Sequence, residues 1–346
     1  MPKLSVHLVT WNGAKYIPHL FDSLLKQTFL DWQLIVVDNH SQDNTLALIK
    51  QELENFPAPY QIIENEENLG FAGGQNLAFK KTDTEYFLML NQDMYLVPDC
   101  FEQVIKFLET HAEAAVVSPR LMKWDFGQMK NSLHRTFGDQ VDSLGLKIFR
   151  NRRVVEQYAQ QNWSDISASL LASSAALPVF GVSGSMPVFR RSAIMPVLYS
   201  DGNIFDGSYN SYKEDVDLAY RLTASGGKAY VLLDAVAFHD RSAAGPKETG
   251  DLIALKNKQE QSGWVKYHSY KNHLSTLYKN EYWQNLILDF PWILWYELKK
   301  FGYFLLFDRS VLVGLKKAFS HDMYEKRQLI KSLRKVTWRE MRKWWD

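Results

Sequence analysis

The chain has 346 residues, 46% hydrophobic and 23% charged, which fits a globular protein with a sizeable core and length for about two domains. Its one cysteine, Cys100, excludes a disulfide framework and a cysteine-built zinc site, and the longest apolar tract, residues 286–307, is broken by Asp289, Glu297, Lys299 and Lys300, so no bilayer span is expected. The net charge of +1 is unevenly spread: from Lys256 onward 18 Lys and Arg stand against 9 Asp and Glu, with 22 against 30 before it.

Met1 leads at once into a strand-like run at residues 4–9, so no signal peptide is expected. That run ends at Thr10-Trp11-Asn12-Gly13, and Leu20, Phe21, Leu24 and Leu25 then carry helical spacing. A second strand, 33–37, stops at Asp38-Asn39-His40-Ser41. Asp43 or Asn44 can cap the helix bearing Leu46, Leu48, Ile49 and Leu53. A third strand at 60–64 precedes Asn68-Leu69-Gly70-Phe71-Ala72-Gly73-Gly74-Gln75-Asn76. Those glycines read either as a flexible turn or as a helix N-terminus whose free N–H groups face a ligand.

Residues 86–90, Tyr-Phe-Leu-Met-Leu, have the length and aromatic content of a buried strand, and Asn91-Gln92-Asp93 ends it. An acid there lies where open α/β sheets bind ligands, although an Asn/Asp turn is the plain alternative. Pro98 suits the start of a helix with Phe101, Val104, Ile105 and Leu108 on one face. Strand and helix alternating at this spacing imply parallel βαβ units. No G-x-G-x-x-G follows the first strand and no P-loop occurs, which argues against a dinucleotide dehydrogenase or P-loop enzyme.

Periodicity fades over 123–182, which reads as an insertion with lid or acceptor loops. Order returns with Gly181-Val182-Ser183-Gly184-Ser185 and a strand at 186–189. A helix around 212–222 then carries Glu214, Asp215 and Asp217 in its first turn. Acids there complement the helix dipole, yet the three point to different sides, so one can face a cleft while another pairs with Arg221. A strand at 229–233 leads to Phe238-His239-Asp240-Arg241.

Together these pieces resemble the family 2 glycosyltransferases of the GT-A (nucleotide-diphospho-sugar transferase) fold, nearest their rhamnosyltransferase-like subset. The resemblance covers about residues 4–245 and, more loosely, Tyr270-Lys271-Asn272-His273. It implies an α/β fold, with a Rossmann-like mixed sheet flanked by helices as catalytic domain over 1–255. A basic, aromatic helical region follows over 256–346. It implies an inverting, non-processive transfer of a sugar, rhamnose as first guess, from a dTDP-, UDP- or GDP-linked donor to a hydroxyl of a growing, lipid-linked surface glycan or glycolipid.

In that reading Asp215 is the catalytic base, with Glu214 and Asp217 supporting it or binding acceptor. Thr10, Asn12, Asp38, Asn68, Gly70, Asn76 and Gln92 hold the donor nucleotide. Asp93 and His239 bind Mg²⁺ or Mn²⁺, with only one acid in Asn91-Gln92-Asp93 where the family pattern has two. The Lys- and Arg-rich stretch 331–345, with Trp338, Trp344 and Trp345, reads either as a surface for anionic lipid or as a helix packed on the core or on a second subunit of a homodimer. The location implied is cytoplasmic, peripheral on the inner face of the membrane, with no nucleic-acid partner. The competing reading is a catalytically weak glycan-binding or scaffold protein.

Overall fold

The computed structural model describes residues 1–129, 133–241 and 261–345. The first half builds as the alternation dictates: β1 (Leu4–Thr10), α1 (Ile17–Leu25), β2 (Trp32–Asp38), α2 (Thr45–Leu53), β3 (Tyr60–Glu64), α3 (Gly70–Lys80), β4 (Tyr86–Asn91), β5 (Met94–Leu96) and α4 (Cys100–Thr110). Then come β6 (Ala114–Trp124), β7 (Phe137–Ser143), β8 (Leu146–Ile148), β9 (Val154–Glu156), α5 (Trp163–Ser173), β10 (Ala176–Val179), β11 (Val188–Arg190), α6 (Arg191–Ile194), α7 (Glu214–Ala224) and β12 (Lys228–His239). The C-terminal part holds α8 (Gly263–Asn280), α9 (Trp283–Leu288), α10 (Phe290–Phe307), α11 (His321–Leu333) and α12 (Trp338–Arg342).

One mixed sheet runs in the order β10-β12-β6-β11-β4-β1-β2-β3, with β5 on β12 and β7 on β6. β1, β2, β3 and β4 are parallel, so their C-terminal ends share one edge, where Thr10 registers with Asp38 and Val9 with Asn91. One face of the sheet buries Leu20, Phe21 and Leu24 of α1 with Phe101 and Ile105 of α4. The other buries Ala72 and Phe79 of α3 with Leu218 and Leu222 of α7.

Three features differ from the sequence reading or add to it. α3 begins at Gly70, so of the two readings of the glycines the helix N-terminus holds and the flexible turn does not. A Cβ on Gly74 would stand 2.7 Å from Val9 Cγ1, so this glycine lets helix and strand approach closely and does not serve a flexible turn. Residues 114–124 form a long central strand that Pro119, Arg120 and Lys123 disguise in the sequence. The segment 123–182 is no mere loop insertion, because β7 and β10 pair into the main sheet.

Met341 and Trp345 of the basic stretch are buried against Phe180 and Tyr220, so this stretch packs on the core and is not spread as a lipid-facing surface. The expected boundary at 255/256 lies outside the described residues. Among the described residues no helix is long and apolar enough to cross a membrane.

Candidate functional site

Each predicted acid at the sheet edge is held by local chemistry. Asp38, buried at the end of β2, receives the Thr10 hydroxyl at 3.0 Å, the Ser41 hydroxyl at 2.6 Å and the Ser41 N–H at 2.9 Å. Thr10 is itself fully buried, so it positions Asp38 rather than meeting a ligand. Asn12, exposed with a φ of 48°, accepts from the Gln42 N–H at 2.7 Å and donates its own N–H to Ser41.

Gln92 is a bracket. Its amide oxygen accepts from the Trp11 N–H at 2.9 Å and its NH₂ donates to the Trp11 carbonyl at 3.0 Å, pinning the loop after β1 to the end of β4. That corrects the expectation in one respect: the side chain's first work is to brace this loop, with one N–H and one oxygen lone pair left over for another partner.

Asn76 is corrected likewise: it is buried and exchanges two hydrogen bonds with the Phe205 backbone. The α3 N-terminus is not free for a ligand either. Asn68 Oδ1 accepts from the Gly70 N–H, Ser211 Oγ from Phe71, and the Asn210 carbonyl from Ala72. Gly70, at φ 71°, has backbone and side-chain oxygens of Asn210 2.5 Å from where a Cβ would stand, so its role is close packing.

β12 delivers His239 beside β5, where it registers with Met94, and the Asp240 N–H donates to the Asp93 carbonyl at 3.0 Å. His239 Nε2 stands 3.4 Å from Asp93 Oδ1, and its Nδ1 lies 2.9 Å from Asp142 Oδ2. Arg241 pairs with Asp142 at 2.9 Å and with Glu156 at 3.0 Å. Burial disfavours the imidazolium, but Asp93 and Asp142 outweigh it and push His239 up to about 9. Burial would raise Asp142, yet His239 and Arg241 hold it down to about 2.

Asp215 is the second residue of α7, which follows a turn in which Asn210, Tyr212 and Lys213 all have positive φ, between 61° and 74°. Such backbone persists only when its surroundings enforce it. Asn272 of α8 does so, donating through its NH₂ to the carbonyls of Tyr209, Ser211 and Tyr212 at 3.0, 2.9 and 2.7 Å. Asp215 Oδ1 accepts from the Val216 N–H at 2.7 Å and Oδ2 from the Gly184 N–H at 3.4 Å. The next residue, Ser185, lies 3.5 Å from His239 Nδ1. One short segment thus ties Asp215 to the His239–Asp93 pair. The cavity against Asp215 is apolar, lined by Phe180, Val182, Phe205 and Leu218, and at about 20 Å³ it has room for a water but not a sugar.

The two neighbouring acids serve differently. Asp217 is buried with Arg221 at 3.0 Å, Lys279 at 3.1 Å, Tyr199 at 2.7 Å and Asn280 at 2.8 Å. Of the roles left open for it, Asp217 takes the pairing with Arg221, inside the protein and away from any acceptor. Glu214 is buried as well, and its Oε2 finds no hydrogen-bond partner.

Burial, and then the Asp215 charge, push the Glu214 carboxyl from its ordinary 4.5 up to about 8. A carboxyl raised on folding stays protonated in the native chain while the unfolded chain has ionised. Stability therefore falls as pH rises from about 4.5 to about 8. Glu214→Gln, neutral at every pH, should flatten that decline and raise the melting midpoint at pH 8 by about 2–4 °C per kcal/mol regained. Thermal melts at pH 5 and pH 8 check this; an unchanged pH slope would remove Glu214 as its source.

Sequence reasoning missed Asp142, Glu156 and the role of Asn272. Asp142 and Glu156 sit where the sequence carries no periodic signal, and only strand pairing brings them under His239 and Arg241.

Comparison with known proteins bears on this arrangement. The sequence model described as Glycosyl transferase family 2 matches residues 5–198. The chain is 31% identical over 114 residues to the poly(ribitol-phosphate) beta-N-acetylglucosaminyltransferase TarS of Staphylococcus aureus, a match covering 32% of this chain and 20% of that protein. It is 33% identical over 117 residues to the chondroitin synthase of Pasteurella multocida, covering 34% of this chain and 12% of that one. The matched stretch is therefore a minor part of these curated relatives. Among solved structures, the mannosyltransferase PcManGT from Pyrobaculum calidifontis, in complex with GDP-Man and Mn²⁺, superposes with a TM-score of 0.53 at 15% identity. That match covers 96% of this chain and 85% of that one, and at this identity it shows a shared fold.

Proposed function

The chain belongs to glycosyl transferase family 2, and we propose that it moves a sugar from a nucleoside-diphosphate donor to a hydroxyl of a growing, lipid-linked cell-surface glycan, with inversion. The observation that carries this reading is the tie from Asp215 through Gly184 and Ser185 to His239 and Asp93, at the sheet edge that also holds Asp38. Asp38, anchored by Thr10 and Ser41, binds the nucleoside, with Asn12 at the same edge. The relatives' names, one a poly(ribitol-phosphate) beta-N-acetylglucosaminyltransferase and another a chondroitin synthase, support a polysaccharide acceptor.

Asp93 Oδ1 and His239 Nε2 fit a Mg²⁺ or Mn²⁺ ion. Asp142 engages His239 through Nδ1, which leaves Nε2 as the ligating nitrogen. Among the described residues no group of three or more His, Cys, Asp and Glu makes a complete metal site. The diphosphate and water would supply the remaining ligands, as both ions favour. When bound, the ion neutralises charge on the departing diphosphate.

The remaining chemistry belongs to the chain. Asp215 accepts the proton of the acceptor hydroxyl as its oxygen bonds to the anomeric carbon. The bond from that carbon to the diphosphate oxygen breaks on the opposite face, and the nucleoside diphosphate leaves. The guanidinium of Arg241, held beside His239 by Asp142 and Glu156, offers that departing anion a cation at the same edge.

A panel of dTDP-, UDP- and GDP-sugars, with Mn²⁺ and polyprenyl-linked oligosaccharide acceptors, tests the reading. Turnover of one donor is expected, dTDP-rhamnose being the first candidate. A chain that consumes none of them in any metal would overturn the proposal in favour of a glycan-binding scaffold.

A further inference from the structure

α10 is built inside out. A helix on a water-soluble protein turns its apolar stripe to the core and its charges to solvent. Here Glu297 points inward to His273 of α8 at 2.7 Å, and Lys300 lies over the Tyr270 ring at 4.5 Å. The buried side chains Ile293, Tyr303 and Phe304 share that side. At about 100° per residue the outer side carries Leu294, Trp295, Leu298, Phe301, Leu305 and Leu306, which are between 42% and 74% exposed. α9 extends the patch with Trp283 and Ile287 at 63% and 64%. A contiguous apolar surface of this kind marks an interaction site.

Its rim is cationic. Exposed Arg309, Lys316 and Lys317 follow the end of α10. The nearby acids are engaged internally, Asp308 with Lys266 and Asp289 with Arg150, Arg152 and Arg342. At the other end, Arg150 stacks on Trp292 at 4.0 Å. Arg150, Arg153, Phe149, Asn151 and Trp292 line an open pocket of about 280 Å³.

We infer that the α9–α10 face lies on an anionic phospholipid bilayer, its apolar side chains entering the headgroup region while the Arg150–Arg153 pocket takes a lipid phosphate. The charge decides between occupants: a second copy would bring a like-charged rim against this one, whereas an anionic bilayer complements it. The helix lies along the surface and does not cross it. Its 18 residues reach about 27 Å but include Glu297, Lys299 and Lys300. Tryptophans at the patch edge suit the interfacial zone. This inference is independent of which sugar is transferred.

Co-sedimentation of the full chain with vesicles of phosphatidylcholine, with and without phosphatidylglycerol, tests it. Binding to the anionic vesicles is expected, weakening at high salt. Trp295→Ser with Leu298→Ser, both at exposed positions, should melt like wild type and lower partitioning by about tenfold or more. Arg153→Ala with Lys316→Ala and Lys317→Ala should remove most of the preference for anionic lipid. Failure to bind either vesicle, or equal binding to both, overturns the inference. So does a dimer by light scattering that the serine variant dissociates while vesicles pellet no protein.

Discussion

Asp215→Asn should leave nucleoside-diphosphate binding near the wild-type value and lower transfer by about 10²–10⁴-fold, the usual worth of a positioned general base. The asparagine oxygen can still accept from the Val216 N–H, which Asp215 Oδ1 does at 2.7 Å, so the start of α7 should keep its shape. What the amide cannot do is take the acceptor's proton. A fall in kcat with unchanged donor affinity therefore separates loss of the base from loss of the site. Near-normal turnover would remove Asp215 from that role.

The second large effect is structural. Lys279 of α8 is fully buried, donating to Asp206 at 2.7 Å and Tyr199 at 2.8 Å, with Asp217 at 3.1 Å. Burial by itself would raise both carboxyls. The cations Lys279 and Lys326 at Asp206, and Lys279 and Arg221 at Asp217, instead hold both below the usual carboxylate range. Lys279→Met leaves two buried carboxylates short of a cation and should destabilise the fold by about 3–5 kcal/mol. Melting should drop by on the order of 10 °C. The sign with pH follows. Depressed carboxylates stabilise the fold above their unfolded value near 3.8, and that contribution is lost as pH falls through the folded values. The variant should thus show a shallower acid limb in a series of melts from pH 6 to pH 2. A melting point within a degree of wild type would mean that α8 is not bolted to the body through this ion cluster.

These two residues mark the limits of what the sequence made legible. Thr10, Asp38 and Asp93 each follow an apolar strand-like run, and a parallel sheet puts such positions on one edge, so their gathering could be read from periodicity. Asp215 was singled out through the family resemblance alone; the residues themselves showed three acids opening a helix and left open which of them faces a cleft. What each neighbour does was not legible. Glu214, Asp215 and Asp217 are chemically alike, and only packing separates a carboxylate held by the Gly184 N–H from a member of an ion cluster and from a buried acid with an unpartnered oxygen. Gln92 and Asn76 were expected as nucleotide contacts from the family resemblance, yet their amides brace the loop after β1 and the backbone at Phe205.

Longer-range pairings left even less trace. Lys279 stands 73 residues from Asp206 in the sequence, and Asp142 stands 97 from His239. No local pattern reports such partnerships. β6 escaped notice because Pro119, Arg120 and Lys123 interrupt its apolar run, although the strand is held between β11 and β12. The outward apolar side of α10 is a different case. Its composition was plain, but the side of the helix that faces the protein emerges only from the pairing of Glu297 with His273.

The central claim is that the sheet edge at Asp38 and Asp93 binds a nucleoside diphosphate with a divalent ion. Calorimetric titration with UDP, dTDP and GDP, each with and without Mn²⁺, tests it most directly. One of the three should bind, about tenfold or more tightly with the ion, a gain of about 1.4 kcal/mol that Asp93→Asn should abolish. Heats indistinguishable from dilution for all three nucleotides, with and without Mn²⁺, would contradict it.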